Sequence, residues 1–285
     1  MSETPQHQPN AEVKVNDGST AIHADSKIDH AASINYWNSV PATPGAMLAM
    51  LGDFSWYTRI DLRGSKNFLA KVRRLIPALP RDQKLALGAD CGAGVGRITE
   101  GFLSEVCEVV DIVEPVEKFT QALKESELGG RGVIGDIYNV GLEAWNPEKK
   151  YDLIWTQWCV GHLTDSQLIG FVARCRGSLN ESGLMVVKEN QSTDPSGKDM
   201  YDDVDSSVTR TDAKFKEIFE AAGMDVVKSE MQTGFPKQYK LLPVKIKCQT
   251  SANEHRTGAS SLSEFGDSWG VSGCHEDFPS PSVHY

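Results

Sequence analysis

The chain has 285 residues, 40% of them hydrophobic, enough to bury the core of one large or two small domains. Its 29 Lys and Arg against 39 Asp and Glu give a formal net charge of -10, which argues against a broad phosphate-neutralising face for nucleic acid and suits a basic substrate. The 6 cysteines are scattered without a C-x-x-C pair, the start lacks the pattern of a signal peptide, and no apolar run approaches the ~20 residues of a membrane span. These features predict a protein of a reducing compartment, cytoplasmic and also nuclear, with no metal site and no membrane partner.

Residues 1–30 carry few bulky apolar groups and no periodicity, so a disordered leader is expected there. Order is expected to begin near "INYWNSVPAT" (34–43), and "FLAKVRRLI" (68–76) places Phe68, Leu69, Val72, Leu75 and Ile76 on one helix face ended by Pro77 and Pro80. Residues 31–80 therefore read as a helical extension ahead of the main domain. The grammar then changes to alternation. "KLALGAD", "EVVDIVEP", "RGVIGD", "YDLIWTQW" and "GLMVVKEN" read as strands, and "RITEGFLSEV", "VEKFTQALKES" and "TDSQLIGFVARCRGSL" as the helices between them. "DAKFKEIFEAAG" reads as a further helix with a glycine C-cap, and "DVVKSEMQ" and "PVKIKCQ" as final strands. Strands alternating with helices imply right-handed crossovers and an α/β, doubly wound, mostly parallel seven-stranded sheet within residues 31–250. Residues 251–285, rich in Ser, Gly, His and Pro, read as a disordered tail, in which His255, His275 and His284 are too loosely spaced for a metal site.

The stretch "ADCGAGVGRIT" (89–99) puts Gly92, Gly94 and Gly96 on the first strand-to-helix turn, the usual ligand contact of a doubly wound sheet. The dinucleotide fingerprint G-x-G-x-x-G would need glycine at Arg97. The departure is the pattern of S-adenosylmethionine-dependent methyltransferases. Glu114, about 20 residues on at the end of the second strand, is placed to accept hydrogen bonds from ribose hydroxyls, and Asp136 and Ile137, after the third strand, to meet the adenine region. A tight turn with no ligand is the alternative for the glycines.

Four stretches go further: "NYWNSVPAT" (35–43), "DCGAGVGRIT" (90–99), "IWTQWCVGHLTD" (154–165) and "KEN" followed by "DDVDSSV" (188–190 and 202–208). Together, from about Ile34 to Cys248, they resemble the protein N-terminal α-amine methyltransferases, which methylate the free amino end of proteins beginning X-Pro-Lys after removal of the initiator Met. The resemblance implies S-adenosyl-L-methionine as cofactor and cofactor roles for Gly92, Gly94, Arg97, Glu114 and Gln157, with Arg97 available to the methionine carboxylate. It also implies that Trp37, Trp158, Asn190, Asp202, Ser207, Asp205 and His162 line a channel for the peptide N-terminus. The family usually has Asp at Glu114 and at Glu189.

Physical chemistry adds the requirement for a proton acceptor, because an α-amine with an ordinary pKa of about 8 is mostly protonated at neutral pH. Asp205, to hold the ammonium and accept its proton, and His162, a base near the working pH, are the catalytic candidates. Trp37 and Trp158 offer aromatic walls to a proline ring and a methylated cation, and Asp202 and Asp205 negative charge to a substrate Lys. Taken singly, each has a plainer reading: a capping or core histidine at His162, core packing for one of Trp155 and Trp158, a solvated turn for "DDVD", and a strand end at Asn190. The expected enzyme is a monomer. The rival functions are a small-molecule N- or O-methyltransferase and a cofactor-binding interaction protein without catalysis.

Overall fold

The runs of Val, Ile, Leu and Ala that open each alternating unit pack helices on both faces, which is why they read as continuous apolar strands. The computed structural model describes residues 23–48 and 55–251. Its main sheet contains β1 (Leu85–Cys91), β2 (Cys107–Val113), β3 (Ile134–Tyr138), β4 (Tyr151–Gln157), β5 (Leu179–Asn190), β8 (Met224–Met231) and β9 (Val244–Ser251). The order is β3-β2-β1-β4-β5-β9-β8, seven strands, with β9 antiparallel to both neighbours and the rest parallel. β1 lies between its two parallel partners, Ala89 opposite Asp111 on one side and Ile154 on the other.

Alternation along the strands splits the core in two. On one face Leu153, Trp155 and Val186 pack with Phe68, Leu69 and Val72 of a long helix, and Trp155 meets Phe102 edge-on at 4.7 Å. On the other face Ile154, Met185 and Val187 pack with Leu168, Phe171 and Cys175 of one helix and Phe215 and Phe219 of another. The helices are α1 (His30–Ser39), α2 (Pro44–Met47), α3 (Ser55–Leu75), α4 (Ser104–Val106), α5 (Glu117–Glu125), α6 (Asp165–Gly177) and α7 (Asp212–Ala221). α4 follows a π-helical turn, Thr99–Leu103.

Three expectations change. The leader boundary at residue 30 is too late, because Asp25 accepts the Asp165 N–H at 2.9 Å and the Asp29 N–H donates to Ser206 Oγ at 2.8 Å. Residues 1–22 and the tail from 252 lie outside the described residues. The helix expected from Phe68 begins at Ser55, its first turns carried by Tyr57 and by polar residues that sequence periodicity discounts. "DDVDSSV" is more than a solvated turn: it closes a hairpin of β6 (Met200–Asp202) and β7 (Ser207–Thr209), with Asp202 opposite Ser207. That hairpin stands apart from the main sheet and receives the N-terminal segment, with Lys27 5.6 Å over the Tyr201 ring.

Candidate active site

At the carboxyl end of β1 the chain turns through Gly92, Gly94 and Gly96 at φ 73, 55 and 84, left-handed conformations that side chains disfavour. A Cβ on Gly92 would sit 2.3 Å from Cys159 Cβ, and one on Gly94 would sit 2.8 Å from Met47 Cε at the end of α2. The loop thus passes between the turn after β4 and the N-terminal extension with no room for side chains. Gly92→Ala combines a strained φ with that clash, and a stability loss of about 2–5 kcal/mol is expected in urea unfolding.

Glu114, immediately after β2, folds its carboxylate back to the loop. It accepts the Gly94 N–H at 2.8 Å on one oxygen and the Val116 N–H at 2.9 Å on the other. Burial pushes its pKa up to about 7, against the pull of those two N–H groups. Behind the loop, burial raises Asp90 to about 6 although Thr99 Oγ1 donates to it at 2.5 Å. A buried carboxylate with lone pairs to spare beside bare backbone fits a ribose and the chain attached to it. The donor set therefore suits a nucleoside-bearing methyl donor.

Asp136, expected at the adenine region, is engaged by another partner. It lies within β3 rather than after it, and its carboxylate is taken by Lys149 at 2.7 Å, which also binds Asp111 at 2.7 Å. Ile137 pairs with Ile112 and packs against the core. Instead, Asn139 stands at the carboxyl end of β3, its amide donating to Glu114 O at 2.9 Å.

Arg97 and Gln157 meet over the loop on a residue the sequence reading passed over, Asp61 of α3. Asp61 is fully buried, ion-paired to Arg97 at 2.7 Å and to Lys188, and accepts Gln157 Nε2 at 3.0 and 2.9 Å. The Arg97 guanidinium also lies 5.3 Å over the Trp158 ring. The signal for Asp61 was present: buried Tyr57, Asp61, Ser65, Phe68 and Val72 share one face of α3 at three- and four-residue spacing, so an acid interrupts a buried stripe.

Trp158, immediately after β4, has φ 54, a left-handed backbone rare for an aromatic residue. The conformation is held by Glu189, whose carboxylate accepts the N–H groups of Cys159 at 2.7 Å and Val160 at 3.0 Å, and burial raises Glu189 to about 7. Buried Arg210 grips the same turn from its other side, donating to Val160 O at 3.1 Å and to Leu163 O. The turn runs from Gly92, against Cys159, to the hairpin, where a Cβ on Gly161 would lie 3.2 Å from Val208 O. The Trp158 ring stacks on Tyr57 at 5.7 Å, and its buried Nε1 has no hydrogen-bond partner.

His162 sits on this turn. Its Nε2 accepts from Trp37 Nε1 at 3.2 Å and its Nδ1 faces Ser33 Oγ at 3.0 Å, both from α1. Burial lowers its pKa, Asp205 working in the opposite direction, so the ring is neutral at pH 7. With Nε2 accepting, hydrogen-bond logic puts the proton on Nδ1. His162 is thus an anchor for α1, and it takes a proton from an amine only once Trp37 gives up Nε2. Asp205 is half-buried and its Oδ1 is buried without a partner. Asn190 is half-buried at the end of β5, and Ser207 is half-buried at the start of β7. Asp202 is exposed at the hairpin tip, capping the turn through the Val204 N–H at 2.9 Å.

The sequence profile of the AdoMet-dependent proline di-methyltransferases matches residues 25–248. The chain is 41% identical over 218 residues to the Alpha N-terminal protein methyltransferase 1 of Schizosaccharomyces pombe, covering 76% of this chain and 94% of that protein. It is 35% identical over 216 residues to the human N-terminal Xaa-Pro-Lys N-methyltransferase 1, covering 75% and 92%. A solved SAM-dependent methyltransferase from Leishmania major superposes with a TM-score of 0.68 at 32% identity, covering 78% of this chain and 82% of that one. With a profile that matches most of its length and relatives of 35–41% identity, the chain belongs to the AdoMet-dependent proline di-methyltransferase family.

Proposed function

We propose that the protein methylates the free α-amino group of proteins that begin X-Pro-Lys once the initiator Met is removed, with S-adenosylmethionine as donor. The observation that carries this reading is the buried, unpartnered Oδ1 of Asp205 beside neutral His162, on a turn that leads directly to the glycine loop. A buried carboxylate oxygen with no partner is costly, and a substrate ammonium satisfies it.

The cofactor supplies a methyl group made electrophilic by its sulfonium. Asp205 holds the incoming ammonium and, with the His162 lone pair already engaged, is the immediate acceptor of the proton that must leave before the amine is nucleophilic. Trp37 and Trp158 enclose the proline ring and stabilise the cation that results from methylation. Asp202, exposed at the hairpin tip, meets the Lys at the third position. Asn190, at the strand end, and Ser207, across the hairpin from Asp202, line the passage between them. Rate comes chiefly from holding amine and methyl group in line. The reading carries a monomer of the cytoplasm and nucleus whose partners are protein N-termini. Among the described residues no helix is long and apolar enough to cross a membrane.

The test is methyl transfer from labelled S-adenosylmethionine to a Ser-Pro-Lys peptide beside the same peptide with its N-terminus acetylated. Label on the free peptide alone is expected. Equal label on both would move the reaction to the lysine side chain, and label on neither would favour a small-molecule substrate or a non-catalytic role.

A further inference from the structure

We infer that Asp61 is a positioning residue for the methyl donor: it fixes Arg97 and Gln157 so that their remaining donors face the amino-acid end of the cofactor, and it thereby ties α3 to cofactor binding. This rests on the cofactor reading above and adds to it a residue from the helical extension.

Arg97 and Lys188 each carry a positive charge and Asp61 a negative one, so the buried group retains a single net positive charge at the loop. Lys188 is fully buried and spends its ammonium within α3: it donates to Asp61 O at 3.0 Å, to Ser65 Oγ at 3.0 Å and to the Asp61 carboxylate. Burial works against an ionised Asp61, but Lys188 and Arg97 outweigh it and hold its pKa below the ordinary value. The surplus charge therefore resides on Arg97, whose side chain is 10% exposed while Asp61 and Lys188 are closed off.

Geometry then decides where that charge points. Asp61 engages one edge of the guanidinium through Nη1, and the Trp158 ring covers its face. What is left is the second edge, the fork that binds a carboxylate in a bidentate manner. Gln157 is orientated by the same acid. Its Nε2 points to Asp61 and its Oε1 accepts Trp155 Nε1 at 3.3 Å, which fixes the amide and leaves one N–H to donate. Neither side chain can hold this pose without Asp61, and Asp61 is delivered only when α3 is docked on the sheet.

On the same reading the nucleoside half of the donor would be held elsewhere, by the glycine loop and by Glu114, which accepts the Gly94 N–H. The inference thus predicts a ligand-specific defect, which simple unfolding does not give. The experiment is calorimetric titration with S-adenosylhomocysteine, which has the amino-acid end, and with 5′-methylthioadenosine, which lacks it. Asp61→Asn is expected to weaken S-adenosylhomocysteine by about 10-fold or more and to change 5′-methylthioadenosine by less than about 2-fold. Because the single change strands Lys188 in the core, the double variant Asp61→Asn/Lys188→Met is measured alongside; it removes the buried charge pair together and is expected to keep the same selective loss. An equal loss for both ligands in the double variant, or undiminished binding of S-adenosylhomocysteine, would overturn the inference. Wild-type protein that binds neither ligand would overturn the methyl-donor reading and this inference with it.

Discussion

Asp205→Asn is expected to lower kcat/KM for a Ser-Pro-Lys peptide by about 10²-fold or more while leaving the Kd of S-adenosylhomocysteine unchanged. The substitution keeps shape and removes charge. The lost interaction is a charge-assisted hydrogen bond between a carboxylate and an ammonium in a half-buried site, worth about 1.5–3 kcal/mol, and the proton acceptor disappears with it. The carboxylate oxygen concerned has no partner within the protein, so no internal bond is broken and stability is expected to hold or rise. Steady-state kinetics with the free peptide, beside calorimetry with S-adenosylhomocysteine, separates the two effects. Near-normal turnover with this variant would remove Asp205 from the chemistry.

Glu114→Gln is expected to act on the other substrate. Two ribose hydroxyls donating to an ionised carboxylate contribute about 1.5–3 kcal/mol each, so the neutral amide should weaken S-adenosylhomocysteine by about 10-fold to 10³-fold. The wild-type protein should show the same dependence through pH. Burial raises the Glu114 pKa to about 7 in the free protein, so below that value the carboxyl is increasingly protonated and is a poorer acceptor. Affinity should therefore rise as pH increases through about 7, with a proton released on binding at and below that pH. The stability of the free protein runs in the opposite sense. A carboxyl whose pKa is raised on folding contributes stability that is fully present below its ordinary value of 4.5 and is lost as pH rises through about 7. Thermal stabilisation by S-adenosylhomocysteine should consequently be larger at pH 8 than at pH 6. Glu189 titrates in the same window, also near 7. The Gln variant at 114 isolates the Glu114 contribution, since it should abolish the pH dependence of binding and leave the Glu189 contribution to the pH dependence of stability in place.

Much of this was legible in the residues. Strands buried on both faces must be apolar throughout, so β1, β2, β4 and the end of β5 announce themselves, and a glycine run between a strand and a helix has few other uses. The acid after β2 followed from spacing along a parallel sheet. What escaped was of a different kind. β6 and β7 are three residues each, too short for alternation to register, and their polar tip resembles any solvated turn. Asp136 was misplaced by a short count: β3 runs on to Tyr138, so the acid lies within the edge strand, where Lys149 claims it. The expectation that His162 is a ready base rested on residue type alone. A side chain's lone pairs are assigned by its neighbours, and here they come from α1, more than a hundred residues earlier in the chain. Asp61 was overlooked because polar residues were discounted in tracing α3, although an acid on a buried stripe needs a cationic partner.

The bonds that close the peptide side of the site are long in sequence as well as short in space. Asp29 reaches Ser206 across 177 positions, and Trp37 reaches His162 across 125. During synthesis the central strands can pair soon after they emerge, but the N-terminal segment, although α1 can meet Val116 and Phe119 earlier, is not fully docked until the hairpin near residue 206 has followed. The stretch from His23 to Ser39 is therefore translated before the partners it needs and seated among the last. Its amphipathic signal is weak, and beside the apolar patch that Ile34, Tyr36 and Trp37 form on Val116 and Phe119 many of its contacts are single hydrogen bonds, a composition that lets it wait in solvent without seizing the apolar strands as they appear. Maturation of the enzyme thus ends on a segment made before the sheet it helps to close.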